Sequence, residues 1–394
     1  MKKIKFAIGL RDFSKKKGGA ERYLVDLCTR MAAEGYEVHV YAEHWDKGNP
    51  EIHFHQVKTI PFPKSLRLLS FAIRATKEME KANYDITLGA GNTIKADVLQ
   101  PHGGVHWAWF WRSLKAYDHP ISWTIKFLGR ILSPKQWISG YIEDAPYKGK
   151  KYYKIIAISD MVKQDMIRWY GIPEDRIAVV YNGIDIERFS PQNRQYREEI
   201  RKRHGIGDEF VILFVSNNFR MKGLNHLIRA LADIKEEDST IFNCLVLGKD
   251  KRGPYIRLAK KLGVSDRIVF AGLTDEPEKY YGAVDLLVHP TFYDACSLTV
   301  LEALASGLPV VTTAFNGASG VVDHLKEGWV IRDPSNVSEL KMAIQFFSKE
   351  DRRQCALCQG RDKRRVYSRS SNFNQMVGIF KEVIKRSDGY HQED

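Results

Sequence analysis

From Phe210 onward the chain alternates between short apolar runs and segments with helical apolar spacing. VILFVS, FNCLVLG, RIVFAG, DLLVHP, PVVTT and GWVI read as strands. LNHLIRALADI, YIRLAKKLG and EPEKYYGAV read as helices between them. Strands separated by helices are joined by crossovers, and that pattern predicts a parallel sheet covered by helices on both faces. The N-terminal part follows the same rule. KIKFAIG, a helix with Leu24, Leu27 and Met31 at helical spacing, and EVHVYA form a βαβ unit. A strand at 52–60, an amphipathic helix at 65–82 and short strands at 85–89 and 96–100 follow. KIIAISD, MVKQDMIRWYG and IAVVYNGID extend the series. A chain of 394 residues exceeds one ordinary core. Residues 186–208 are polar with little apolar period, which puts the linker there and divides the chain into α/β domains at 1–190 and 191–371.

A net charge of +13 implies an anionic partner: nucleic acid, anionic lipid, nucleotide or phosphorylated glycan. No apolar run approaches the length that spans a bilayer. The N-terminal MKKIKFAIGL reads as a strand, its apolar run being too short for a signal-peptide core. Five scattered cysteines, an odd number, argue for a reducing compartment. Cys355 and Cys358 have redox or half-zinc spacing, but without a second pair they read as two thiols on a helix.

Residues 107–140 differ from the rest. Five of the eight tryptophans (Trp107, Trp109, Trp111, Trp123, Trp137) mix there with Arg112, Lys115, Lys126, Arg130 and Lys135, and Asp118 is the only acid. ISWTIKFLGRIL reads as a helix with an aromatic and aliphatic face and a basic face, which suits the interface of an anionic membrane.

Several residues sit where chemistry is expected. Strand ends of open α/β sheets face the ligand crevice. Gly18 and Gly19 precede the first helix and allow a ligand close to the backbone; His102 ends a strand, and His106 follows two glycines. In the second domain Arg220 and Lys222 lie in the loop after its first strand. Cys296, Ser297 and Leu298 open a helix whose first N–H groups favour an anion. Asp294 precedes that helix and Glu302 lies within it, two acceptors for sugar hydroxyls. Cations, helix dipole and acids together describe a site for a sugar linked to a diphosphate. An Asp-x-Asp pair is absent, so no catalytic metal and no further cofactor is expected.

HPTFYDACSLTVLEALASGLPVVTT resembles the E-x7-E region of family 4 retaining glycosyltransferases. FRMKGLNHLIRAL, AISDMVKQDMIRWYG with IAVVYNGID, and GGAERYLVDL are similar to that family in the same order. The resemblance implies a GT-B fold, two Rossmann-like domains facing across a cleft, with a final helix (372–394) packing back on the first. It further implies front-face transfer of a hexose from a UDP-sugar held by Lys222, Arg220 and the helix end, with His102 or His106 steadying the sugar. Among subfamilies the chain looks most like the lipopolysaccharide core glucosyltransferases, peripheral on the cytoplasmic membrane face. Two positions depart from the pattern: Asp294 replaces the usual glutamate, and Ser216 stands where many members carry arginine. Competing readings are a sugar-nucleotide epimerase or other enzyme of the same fold, and a nucleic-acid-binding protein, for which no recognised motif is present.

Overall fold

The structure is a computed structural model that describes residues 3–46, 49–150, 152–237, 242–354 and 365–390. Cys355 and Cys358 lie outside the described residues. The chain divides into two compact units, one of Met1–Trp111, His119–Asn182 and Asn372–Asp394, the other of Arg112–Asp118 and Gly183–Ser371.

The first unit opens with β1 (Lys5–Gly9), β2 (Asp12–Phe13), α1 (Gly19–Ala33), β3 (Glu37–Ala42) and β4 (His44–Trp45). Next come β5 (Ile52–Gln56), α2 (Lys64–Lys81), β6 (Ile86–Gly89) and β7 (Val98–Leu99). A helical stretch of α3 (His106–Leu114), α4 (Pro120–Ile131) and α5 (Pro134–Lys148) precedes β8 (Lys154–Ala157), α6 (Asp160–Tyr170) and β9 (Ile177–Val179). The seven-stranded sheet has the order β5-β3-β1-β6-β7-β8-β9, and its pairings are parallel. β1 is flanked by earlier-wound strands on one side and later ones on the other, so the winding reverses between β1 and β6.

The second unit contains α7 (Arg197–Arg203), β10 (Phe210–Val215), α8 (Leu224–Glu237), β11 (Phe242–Leu247), α9 (Gly253–Lys261) and β12 (Ile268–Gly272). It continues with α10 (Pro277–Ala283), β13 (Leu286–His289), α11 (Leu298–Ala305), β14 (Val310–Thr313), β15 (Gly328–Ile331) and α12 (Val337–Ser348). The last helix, α13, spans Arg369–Tyr390. The sheet order β12-β11-β10-β13-β14-β15 is the doubly wound one, all parallel, with its switch point between β10 and β13. FNCLVL and LLVH are buried along their whole length, the continuous apolar run that a strand covered on both faces requires.

Phe373, Met376, Val377, Phe380 and Val383 of α13 recur at helical spacing and enter the core of the first unit, where Phe380 packs on Phe6 at 5.6 Å between ring centroids. Asn372 ties the start of this face, accepting from the Tyr23 hydroxyl (2.9 Å) and donating to the Tyr181 carbonyl (2.6 Å).

Residues 186–208 are polar in sequence, yet they fold onto the second unit through buried charge together with the few apolar side chains Phe189, Ile200 and Ile206, all of them buried. Arg201 is buried and donates to the carbonyls of Ala283, Gly207 and Glu209 and to Asp285 Oδ2 at 2.7 Å. Asp285 also receives Arg197 (2.8 Å) and the Val211 N–H (2.8 Å). Removing one partner of such a cluster leaves a buried charge uncompensated. Asp285→Ala is expected to destabilise the second unit by about 3–5 kcal/mol in denaturant unfolding, with Asp285→Asn milder.

Candidate active site

The loops that leave β10 and β13 flank the switch point of the second sheet. They are joined through backbone: the Phe292 N–H donates to the Met221 carbonyl at 2.9 Å. Gly223 lies between them in the left-handed region (φ 77°), and a Cβ there would sit 2.3 Å from the Pro290 carbonyl oxygen. Only glycine permits this approach. Within the first loop Ser216 Oγ accepts from the Asn218 N–H and Asp250 accepts from the Phe219 N–H, both at 2.7 Å.

This construction brings Lys222 and Asp294 together, Nζ to Oδ2 at 2.5 Å, with Lys222 also 3.2 Å from the Tyr293 carbonyl. Burial alone pushes the Asp294 carboxyl up, but the Lys222 ammonium and the His289 ring together outweigh it and hold the group well below the usual carboxylate range. His289, buried at the end of β13, places Nε2 3.7 Å from Asp294 and 3.5 Å from Ser297 Oγ. Burial lowers its own pKa, which keeps the ring neutral near pH 7.

Ser297 is the N-cap residue of α11, and its N–H is held by Asn316 Oδ1 at 3.2 Å. The same Asn316 oxygen accepts from Ala318 while its Nδ2 donates to Thr312. Cys296 is buried beside it, and Leu298 begins the helix, whose first-turn N–H groups have no intrahelical partner. Glu302, one turn further, accepts from the Tyr281 hydroxyl at 2.9 Å. Lys222, Asp294, Cys296, Ser297, Leu298 and Glu302 therefore occupy the loops and helix around one switch point.

Arg220 is exposed, and its guanidinium lies 4.7 Å over the Tyr117 ring. The segment Arg112–Asp118 belongs to this unit: Arg112 and Lys115 sit over Phe315 at 5.4 and 5.2 Å, and Asp118 accepts from Asn225 at 2.7 Å. Arg112 and Lys115, expected on a membrane-facing surface, thus engage the loop after β14. Arg130 departs further from that expectation. It is buried, donates to the Phe110 carbonyl at 2.7 Å and lies on the Trp109 ring.

His289 and Asn316 were not among the residues singled out by sequence. The rule that flagged His102 as a histidine at a strand end applies equally to His289 after DLLV.

The first unit holds the remaining candidates. Gly18 caps α1 in extended backbone (φ −163°) and Gly19 is its first residue. His102 packs against Tyr23 at 4.8 Å, and burial pushes its pKa down to about 4. His106 opens α3 and donates its backbone N–H to Glu143 at 2.8 Å. Both histidines line a cavity of about 220 Å³ together with Gly89, Thr93, Glu143 and Tyr147. The buried Nε2 of each has no hydrogen-bond partner among the described residues.

A helix end that favours an anion, a lysine–aspartate pair and carboxylate acceptors gather at the switch point of a doubly wound sheet, where folds of this class bind their ligands. The "Glycosyltransferase Family 4" model matches residues 17–188 and the "Glycosyl transferases group 1" model matches residues 196–363; the chain belongs to this glycosyltransferase family. Its relatives include the lipopolysaccharide glucosyltransferase WaaG of Escherichia coli (strain K12), 26% identical over 83% of this chain and 85% of that protein. A D-inositol 3-phosphate glycosyltransferase of Thermomonospora curvata is 23% identical over 87% of this chain and 85% of its own length. The crystal structure of WaaG shares the fold with a TM-score of 0.76 at 24% identity, covering 95% of this chain and 99% of WaaG. Anabaena HepE in complex with UDP and glucose shares it with a TM-score of 0.67 at 18% identity, covering 96% and 99%. The architecture is GT-B.

Glu143 supplies a pH test of the first-unit cavity. Burial pushes its carboxyl up to about 7, against hydrogen bonds from Tyr170 and the His106 N–H that lower it. A raised folded-state pKa gives stability that is full below the unfolded value of about 4.3 and lost as pH climbs through about 7. The Tm of the native protein is therefore expected to fall relative to Glu143→Gln between roughly pH 5 and pH 8, with the two curves converging at the acid end.

Proposed function

We propose that this glycosyltransferase moves a hexose, glucose in the first instance, from a UDP-sugar to a lipopolysaccharide core or similar cell-envelope glycan, with retention at the anomeric carbon. The observation that carries the reading is the Lys222–Asp294 pair ahead of the first turn of α11. In this scheme the diphosphate lies against Lys222, Arg220 and the helix end, which stabilise charge as the bond from the anomeric carbon to the phosphate oxygen breaks. Asp294 takes a sugar hydroxyl and Glu302 the ribose. The acceptor hydroxyl attacks from the face the diphosphate leaves, and its proton passes to the departing phosphate oxygen. Both acids are already engaged, Asp294 by Lys222 and Glu302 by Tyr281, which fits a positioning role better than a covalent nucleophile. The names of the relatives support the donor and acceptor classes: WaaG is a lipopolysaccharide glucosyltransferase, and HepE binds UDP and glucose. The acceptor is assigned to the first unit, whose cavity at His102 and His106 carries unused imidazole nitrogens.

Lys222→Ala is expected to lower kcat for UDP-glucose turnover by roughly 10²–10³-fold, with Arg220→Ala milder. Release of UDP in the presence of a glycolipid acceptor measures it, and an unchanged rate in Lys222→Ala overturns the assignment. The anomeric configuration of the product, read by NMR, decides retention.

The acceptor class supports a position on the cytoplasmic membrane face, held there peripherally; no described helix is long and apolar enough to cross a bilayer. α4 offers the surface. Ile121, Ile125, Leu128 and the following Leu132 are 64, 66, 50 and 78% exposed and share one ridge at helical spacing, with Trp111 and Trp137 also exposed. An aliphatic ridge with Lys126 and Lys135 nearby in sequence suits an anionic lipid interface. Vesicles containing anionic lipid are expected to sediment the protein and neutral vesicles to leave it in solution. Ile125→Asp with Leu132→Asp should abolish sedimentation while leaving turnover of a soluble acceptor intact; equal binding to both vesicle types sinks this surface.

A further inference from the structure

The outer edge of the first sheet carries a cluster of ligating side chains for which glycosyl transfer has no use. β5 is an edge strand, paired with β3 alone in the sheet order, with His39 opposite His53 and Tyr41 opposite His55. Side chains alternate along a strand, so Glu37, His39, His53 and His55 project from one face. Their geometry is already convergent. Glu37 Oε1 lies 3.0 Å from His39 Nε2, and the His39 and His53 rings stack at 4.8 Å between centroids. One ligand atom from each of Glu37, His39 and His53 falls within 4.8 Å of the other two.

We propose that Glu37, His39 and His53 bind a divalent transition metal of the Zn²⁺ class, leaving a fourth position to water. Two imidazoles and a carboxylate are a donor set that such ions prefer over Mg²⁺ or Ca²⁺. Bonds of about 2.0–2.1 Å in a tetrahedron put ligand atoms roughly 3.3 Å apart. The Glu37–His39 pair already meets that spacing, and the exposed His53 closes the rest by a side-chain rotation. His39 Nδ1 is 2.8 Å from His55 Nε2, so His55 fixes the orientation of the ligating ring from behind. The opposing group is Lys5, whose Nζ stands 3.8 Å from Glu37 Oε1; it is 40% exposed and can withdraw into solvent. An ion here adds a side-chain link between β5 and β3 to their backbone pairing, the ring stacking and the His39–His55 hydrogen bond.

The test uses the full-length protein stripped of metal with a chelator and titrated with Zn²⁺, and with Co²⁺ for its visible d–d absorption. One equivalent is expected to bind, with tetrahedral Co²⁺ intensity and a Tm that rises with free metal. His53→Ala, at an exposed position, should abolish binding without lowering the metal-free Tm. His55→Phe should weaken binding about 10–100-fold, the range for loss of an orienting partner. His44→Ala, a nearby exposed histidine, should leave it unchanged. Failure to bind one equivalent, or equal binding by His53→Ala and the native chain, overturns the proposal. Glycosyl transfer is read separately, so the outcome leaves the proposed function standing or falling on its own tests.

Discussion

The second unit depends on a contact with no side chain in it, the approach of Gly223 to the Pro290 carbonyl at the reversal of the sheet. β10 and β13 are neighbours whose helices leave to opposite faces, so the loops following them part and expose backbone. With no Cβ at 223 the two loops can close on one another, and the Phe292–Met221 hydrogen bond locks them. Lys222 and Asp294 are the residues adjacent to that seam. Their pairing follows from backbone packing, and the first turn of α11 is carried along because its loop is pinned by Asn316.

Charge balance around the seam explains why the pair is stable. A half-buried carboxylate is costly unless compensated, and Lys222 with neutral His289 compensates Asp294. The shorter aspartate at this position, one methylene less than the usual family residue, remains within direct reach of Lys222. Arg201 and Asp285 solve the same problem for the polar stretch after the first unit, where a compensated buried ion pair lies beside the buried Phe189, Ile200 and Ile206.

Much of the framework was legible in the chain. The helix expected at 65–82 is α2 at Lys64–Lys81, and the strand series after Phe210 appears in the order read, because a strand buried on both faces has to be apolar throughout. Lys222, Asp294 and Glu302 were legible because sheet topology sends ligands to strand ends. His289 and Asn316 went unnoticed because their parts are set by contacts to residues 8 and 19 positions from them or by burial, which local pattern does not encode. Arg130 misled for the same reason: an arginine between apolar residues reads as an exposed charge until Phe110 and Trp109 are seen to cover it. The aliphatic side chains expected on the helix of ISWTIKFLGRIL do form an exposed ridge on α4, with Trp111 and Trp137 exposed as well.

By itself the sequence determined the α/β alternation, the parallel sheets that follow from it, and the residue types at the carboxyl ends of the strands, since periodicity and crossover length are properties of the chain. Tertiary structure alone decided which of those residues meet. The Lys222–Asp294 distance, the histidine cluster at the edge of the first sheet and the burial of Arg130 and Arg201 arise between segments far apart in the chain or from strand register. Their physical basis is the registry of strands and the close packing of loops, which no local pattern of apolar and polar residues specifies.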